Sequence, residues 1–396
     1  MILHFTVVPG EEGNIRFNYI VDKIDKETAS VEIITTSFSH VRKEYRHLNE
    51  EEKTGIDYKL TMLDEPGYKK NVSLMRFYSH YMMGRNLKEY LKNRKKPDLI
   101  YCAIPSLDVA KVAADYAEAN KIPFVIDVQD LWPEAFKMVF NIPLISDLVL
   151  SPMKRKADYI YSRADEIIAV SQTYADRALE SNKKCASASS VYLGTDLDYF
   201  DRLASEGRIK DKPEDEIWIS YIGTLGTSYD LTSVMDALKL IKDESNHTLK
   251  FIVMGDGPLK SKFEDYSKEL GLYTDFTGRL TYPDMVGLLS SCDIAVNPIK
   301  KGSAGSIINK VGDYAAAGLP VINTQESLEY RNLIDDYLAG INCINGDHVD
   351  MAAKLLILIE DKTLREKMGR NSRRLAEERF NRNKTYKNII DVIYSQ

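Results

Sequence analysis

The sequence predicts an α/β protein in which two doubly wound, Rossmann-like parallel-sheet domains follow one another along the chain. Three observations predict it. Short runs rich in Val and Ile alternate with longer stretches of helical period, the pattern of a parallel sheet covered by helices on both faces. A polar stretch at residues 201–216 interrupts that alternation, which then begins again. At 396 residues the chain also exceeds what one hydrophobic core usually organises.

The first half carries strand-like runs at 2–8, 30–35, 98–103, 123–128 and 166–170, with helical spacing at 107–120 and 153–164. They define a first domain over 1–200. The stretch 201–216, with Glu206, Asp211, Lys212 and Pro213, reads as a linker. A second domain over 217–378 follows, with strands at 218–222, 248–254, 274–277, 293–297, 320–323 and 340–344. The last segment, 379–396, has helical period and is expected to return and brace the first domain. In such sheets ligands bind beyond the carboxyl ends of the strands, so candidate chemistry lies just after each strand, in a cleft where two domains face each other.

Composition narrows the function. A net charge of -6 and a pI near 5.7 argue against a general nucleic-acid binder, which needs a basic field. No stretch is long and apolar enough to cross a bilayer as a helix. The run from Met1 to Gly10 lacks a basic leader and a small-residue cleavage site, and reads as a buried strand. Cys102, Cys185, Cys292 and Cys343 are far apart and three of them sit in or beside apolar runs, which suits reduced thiols in a cytoplasmic protein. The six histidines show no paired ligand spacing, so neither a metal nor another cofactor is expected. Basic clusters at Lys92, Arg94, Lys95 and Lys96, and at Lys154, Arg155 and Lys156, read first as solvated faces. With the apolar run 142–153 before it, the second cluster also suits anionic lipid headgroups.

A nicotinamide-binding protein would show Gly-x-Gly-x-x-Gly after its first strand. The loop here is Pro9-Gly10-Glu11-Glu12-Gly13-Asn14, with the wrong spacing and two carboxylates that oppose a pyrophosphate. Gly13 and Asn14 open a helix, so their amides suit an anion or a sugar hydroxyl as well as a plain turn. In the second half, Tyr221-Ile-Gly-Thr-Leu-Gly-Thr-Ser228 ends a strand with Gly223 and Thr224 where a ligand can approach the backbone. Met254-Gly-Asp-Gly-Pro258 reads as a structural turn. The strand end at Thr277-Gly-Arg-Leu280 offers Arg279, beside Leu280, for bidentate pairing with phosphate or for a surface ion pair.

The richest stretch runs from Gly302 to Pro320. Small residues from Gly302 to Ser306 let successive amides converge, and a helix starting there would aim its positive end at a diphosphate, with Gly305, Ser306 and Ile307 as candidate donor contacts. Lys310 would add a point charge from the first turns. Asp313, one turn on, would share its face and suit hydrogen bonds from ribose hydroxyls. The plainer alternative is a Lys310–Asp313 surface pair.

With these segments the chain resembles the retaining family 4 glycosyltransferases of GT-B architecture, in particular the bacterial members that build capsule, O-antigen and other surface polysaccharides. The likeness rests on Val125-Ile-Asp-Val-Gln-Asp-Leu-Trp-Pro-Glu134, Ile168-Ala-Val-Ser171, Val191-Tyr-Leu-Gly-Thr-Asp196 with Phe200, Val253-Met-Gly-Asp-Gly-Pro258 and Asp313-Tyr-Ala-Ala-Ala-Gly-Leu-Pro-Val-Ile322. It implies a nucleotide-sugar donor on the second domain, an acceptor on the first, no metal, and a diphosphate leaving group stabilised by Arg279, Lys310 and backbone amides. The family's functional histidine corresponds to Gln129. Asp130 follows it as the candidate for accepting a proton or orienting the acceptor, with Glu134 nearby and Trp132 packing the loop. Two departures stand out: the first glutamate of the family's Glu-x7-Glu pattern falls on Gly305 and the second on Asp313, and the usual Arg and Lys are replaced around Thr224.

The resemblance therefore leads to the expectation of a UDP-sugar donor, a polyprenyl-diphosphate-linked glycan acceptor, and peripheral contact with the inner leaflet through residues 142–156. Rival readings are a catalytically silent partner subunit that binds a nucleotide sugar, and an epimerase of the same architecture.

Overall fold

The computed structural model describes all residues except 4–7, 9–10, 12–15, 48–54, 72, 138–144, 210 and 304–305, and leaves out the side chains of 137 and 145–147. The chain divides into two units, Met1–Val191 with Tyr386–Gln396, and Tyr192–Thr385. The first carries β1 (Ile2–Leu3), β2 (Glu32–Thr36), the antiparallel pair β3 (Phe38–Ser39) and β4 (Glu44–Tyr45), β5 (Lys59–Leu63), β6 (Ile100–Ile104), β7 (Phe124–Val128), β8 (Glu166–Ala169) and β9 (Ser189–Ser190). Seven of these form a parallel sheet in the order β5-β2-β1-β6-β7-β8-β9. The second unit carries β10 (Glu216–Ile222), β11 (Thr248–Met254), β12 (Thr274–Gly278), β13 (Ile294–Asn297), β14 (Val321–Asn323) and β15 (Gly340–Asn342), in the order β12-β11-β10-β13-β14-β15. Both are doubly wound α/β sheets whose strand order reverses at the first strand, between β1 and β6 and between β10 and β13.

The central strands read as unbroken apolar runs because helices cover both faces of the sheet. All five residues of β6 and all five of β7 are buried. One of them is charged. Asp127 in β7 accepts from Arg16 Nε at 2.8 Å and Nη2 at 3.2 Å, and from the Tyr101 hydroxyl at 2.7 Å. Arg16 Nη1 donates to the carbonyl of Val191 at 3.0 Å, and the guanidinium lies 4.9 Å from the centre of the Tyr386 ring. Both side chains are 0% exposed. Burial works against the charge of Arg16, but Asp127 outweighs it and holds the guanidinium protonated.

The first seven residues of the stretch expected to be a linker, 201–207, belong to a helix. Asp196 caps the helix Leu197–Gly207 by accepting from the Tyr199 amide, and Leu197, Phe200 and Leu203 bury its inner face in the core of the second unit. Its polar look belongs to the opposite face, where Asp198, Asp201, Arg202 and Glu206 are exposed. The division falls at Val191, before that helix. Of the segment 379–396, only Tyr386–Gln396 groups with the first unit, where Ile389 packs with Phe17, Ile20 and Tyr101. Phe380 belongs to the core of the second. The edge strand β5 and the β3–β4 pair escaped the sequence reading because their positions are mostly short, polar or half-exposed.

Arg16→Met leaves Asp127 as a buried, unpaired charge and is expected to cost about 3–5 kcal/mol of stability. Urea unfolding of the two proteins measures it, and a loss below about 1 kcal/mol would show that the pair does not hold the first unit together.

Candidate functional site

In the second unit the chain leaves β10 and β13 side by side at the point where the strand order reverses, which is where doubly wound sheets bind ligands. The two exits are joined to each other. Tyr229 and Ile299 form an antiparallel bridge, Lys300 N donates to Ser228 O at 3.0 Å, and Asp230 N donates to Pro298 O at 2.8 Å. The exit of β10 is also locked to that of β11. Gly223 has φ +135° and Gly255 φ +152°, and a Cβ on Gly255 would lie 1.9 Å from the Gly223 carbonyl oxygen. The two loops therefore meet backbone to backbone, and the Gly-Asp-Gly turn after β11 is structural, as its sequence suggested.

Lys310 opens the helix Lys310–Ala316 and reaches back towards these loops. Its Nζ lies 4.0 Å from the centre of the Tyr221 ring and 4.1 Å from that of Tyr229, and a Cβ on Gly223 would stand 3.5 Å from it. The side chain is buried and Nζ has no hydrogen-bond partner among the described residues. Burial alone pushes its pKa well below the usual lysine value. Two aromatic faces attract a cation without neutralising it.

Several expectations for the stretch 302–320 change. The helix begins at Lys310 and spans seven residues, so it does not start within the small-residue run; residues 306–309 are irregular or turn. Lys310 and Asp313 do not share partners. Asp313 Oδ1 accepts from Thr195 Oγ1 at 2.9 Å and from the Tyr282 hydroxyl at 3.0 Å, whereas Lys310 Nζ lies between the Tyr221 and Tyr229 rings. Burial raises its pKa against the pull of those two hydrogen bonds. Ile307 packs into the core with Ile222 and Val311, and the partly buried Leu280 packs against that core. Arg279 is exposed at the end of β12, two strands from β10. Gly305 lies outside the described residues.

A row of buried amides, unnoticed in the sequence, supports the same loop. Asn297 Nδ2 donates to Asn323 Oδ1 at 2.9 Å, Asn323 Nδ2 donates to Asn342 Oδ1 at 2.8 Å, and Gln325 Nε2 donates to the Ser306 carbonyl at 2.6 Å. These asparagines end β13, β14 and β15 in register, so one cross-strand row fixes the exit of the Gly/Ser stretch. The signal was there, as an Asn at the end of each of three consecutive strands.

In the first unit, Gln129 and Asp130 follow β7. Their amides both donate to the Ile104 carbonyl. Asp130 accepts from the Leu131 amide at 2.9 Å and from Trp132 Nε1 at 3.3 Å, and burial raises its pKa despite those bonds. A carboxylate with a raised pKa is suited to take up a proton. Glu134 instead pairs with Arg177 at 2.6 Å, which commits it to the fold. Gly13 and Asn14 lie outside the described residues, but Glu11 of the same loop pairs with Arg46 at 2.8 Å, so it does not stand as a free charge against an anion.

Trp132 is buried, with the His80 ring stacked on it at 5.4 Å and 1°. His40 meets the His80 ring edge-on at 5.6 Å. His40 Nε2 lies 2.8 Å from Glu65 Oε1, and Nδ1 lies 2.7 Å from the Tyr68 hydroxyl. The carboxylate also accepts from Thr36 Oγ1 at 2.6 Å and Ser79 Oγ at 2.8 Å. Which ring nitrogen carries the proton sets whether Nδ1 donates to or accepts from Tyr68. Burial lowers the pKa of His40 and takes that of His80 down to about 2, with the charges of His40, Arg76 and Lys43 adding to the second shift. Both rings are neutral at pH 7. Forty residues separate these histidines in sequence, which is why no spacing rule found them. Among the described residues no cluster of three His, Cys, Asp or Glu side chains could hold a metal ion.

Residues 205–375, within the second unit, match the family model "Glycosyl transferases group 1". An uncharacterised glycosyltransferase of Methanocaldococcus jannaschii is 22% identical over 239 residues, 59% of this chain and 59% of that relative, so the chain spans well under two thirds of its length. The Anabaena protein Alr3699/HepE, solved in complex with UDP, is 16% identical, covers 100% of this chain and 99% of its own, and superposes with a TM-score of 0.70. WaaG, a glycosyltransferase involved in lipopolysaccharide biosynthesis, is 16% identical over 99% of this chain and 98% of its own, with a TM-score of 0.65. At these identities the solved structures establish the GT-B fold.

Lys310→Met removes a buried cation that has no partner, and is expected to raise the unfolding free energy by about 1–3 kcal/mol. The folded-state pKa lies below the unfolded one, so wild-type stability should climb as pH rises from the folded value towards that of free lysine, and the variant should lack that climb. Denaturant titrations at several pH values measure both effects.

Proposed function

We propose that this chain is a GT-B glycosyltransferase that takes its sugar from a UDP-linked donor with retention of anomeric configuration and without a metal. The family match within the second unit and the GT-B fold support a glycosyltransferase. The observation that carries the donor reading is Lys310. A buried ammonium between two tyrosines, at the switch point of the second sheet and without a partner, suits the diphosphate of a nucleotide sugar. A diphosphate beside it would favour the charged form of the amine that burial disfavours, so Lys310 would stabilise the nucleotide diphosphate as negative charge develops on departure. In this reading Asp130, whose pKa burial raises, orients or deprotonates an acceptor hydroxyl in the first unit.

The acceptor we propose is a polyprenyl-diphosphate-linked glycan of surface polysaccharide synthesis, met at the cytoplasmic side of a membrane. Supporting this are the role of WaaG in lipopolysaccharide biosynthesis and the exposed apolar residues of the first unit. Leu74, Met75, Tyr78 and Tyr81 stand exposed along one helix, and Leu148 and Val149 along another, with the exposed Arg155 further along the second. No described helix is long and apolar enough to span a bilayer. Lys154 and Lys156 are engaged with Asp158 and Asp108, which leaves the basic cluster less available than its sequence suggested. Residues 142–144 of the proposed contact lie outside the described set.

A second reading, a silent subunit that binds a nucleotide sugar, is favoured by Asp313, whose carboxylate is occupied by Thr195 and Tyr282. Incubation with a panel of nucleotide sugars and a polyprenyl-diphosphate glycan separates the two. Release of nucleotide diphosphate together with a glycosylated lipid supports the enzyme, whereas donor binding without turnover supports the subunit. Lys310→Ala should weaken UDP binding at least tenfold, and unchanged UDP affinity would overturn the donor site. Asp313→Ala should leave UDP affinity within about threefold if its role is structural.

A further inference from the structure

Beside the His40–Tyr68 pair stand two cations that the donor reading does not use. Lys43, which ends the turn between β3 and β4, lies with its Nζ 4.4 Å from the centre of the Tyr68 ring, and the Arg76 guanidinium lies 5.9 Å from it. Both are tied to one residue. Lys43 Nζ donates to Asn71 Oδ1 at 2.6 Å and to the His40 carbonyl, and Arg76 Nη1 donates to the Asn71 carbonyl at 3.1 Å. Among the described residues neither cation forms a salt bridge, although the charge of Arg76 acts on the Asp130 carboxylate, and Arg76 Nε is buried without any hydrogen bond.

Three further facts make this a built arrangement. Lys43 holds φ at 63°, a left-handed conformation that a lysine adopts rarely, so its direction is imposed. Arg76 lies in the first turn of the 19-residue helix Leu74–Lys92, at its positive end, where no acidic residue offsets it. The Arg76 guanidinium also lies 4.7 Å over the Trp132 ring. The carboxylates nearby are engaged: Glu65 by Thr36, Ser79 and His40, Asp130 by Leu131 and Trp132. The imidazoles beside them are neutral and add no charge. Lys69 and Lys70 are exposed close by in sequence and extend the positive field. Two like charges held together at a helix N-terminus cost energy that an anion bound between them would recover.

We propose that Lys43 and Arg76 form an anion subsite of the first unit that takes a phosphate or diphosphate group of the acceptor. It rests on the reading of the acceptor as phosphorylated and deepens it, by naming the residues that recognise the charged group. The same chemistry could be presented by an isoprenoid diphosphate or by a free phosphate group, and the probes below separate these sources.

Trp132 reports the site directly, because Arg76 lies on its ring and the chain has only one other tryptophan, Trp218. In the full chain carrying Trp218→Phe, inorganic pyrophosphate and farnesyl diphosphate are titrated at constant ionic strength while Trp132 fluorescence is followed. A saturable change is expected, weakened at least tenfold by Arg76→Gln and by Lys43→Asn, asparagine being tolerant of the left-handed backbone. Lys310→Ala should leave it within twofold. Tighter binding of farnesyl diphosphate than of pyrophosphate assigns the site to a lipid-borne diphosphate; equal binding assigns it to the phosphate group alone. No saturable change with either probe, or a change that survives both substitutions, overturns the proposal. UDP affinity measured on the same variants should remain unchanged, so failure here is distinguishable from failure of the donor site.

Discussion

The first unit depends on one buried ion pair. Arg16 and Asp127 exclude water completely, and each is satisfied only because three separate parts of the chain arrive at the same place. The β7 strand brings Asp127, β6 brings the Tyr101 hydroxyl, and the end of β9's segment brings the Val191 carbonyl. Tyr386 closes the remaining face of the guanidinium. Desolvating two charges costs several kcal/mol per ion, so the pair is worth little unless all of these groups are in place. That makes it a test of correct assembly more than a source of stability. It also fixes the end of β7, and Gln129 and Asp130 take their positions from there.

The second unit buries a charge on opposite terms. Lys310 has two aromatic faces and no acceptor, so the resting protein carries the desolvation cost without the compensation that Asp127 gives Arg16. Rigid surroundings keep that cost from relaxing. The Gly223–Gly255 contact, the Tyr229–Ile299 bridge and the row of amides from Asn297 to Asn342 leave the loops little room to collapse on the ammonium. Strain of this kind is what a preorganised anion site requires.

The doubly wound architecture was legible because buried parallel strands and their covering helices write distinct periods, and β11 and β13 fall within a residue of the expected bounds. The boundary was not, because an amphipathic helix with a charged outer face looks like a linker when only polarity is weighed. Lys310 was singled out by the glycines and serines before it. What remained hidden is where its side chain goes: a helix of seven residues sends Lys310 back over Tyr221 and Asp313 across to Thr195, and nothing local in the sequence distinguishes that from a shared face. The His40, Glu65, Tyr68 and His80 cluster was hidden for a different reason. Its members come from a hairpin turn, a strand exit and a helix, and only the parallel crossing of β2 and β5 brings them together.

The return of Tyr386–Gln396 to the first unit has a consequence for how the protein is made. Arg16 and Asp127 leave the ribosome early, but Tyr386 follows only after the whole second unit has been synthesised. Until then the guanidinium lacks its aromatic cover, and Phe17, Ile20 and Tyr101 lack the Ile389 side chain that packs with them. Vectorial synthesis thus delivers a nearly finished first unit that must wait, with an apolar patch open, for a segment encoded after the whole of the second unit.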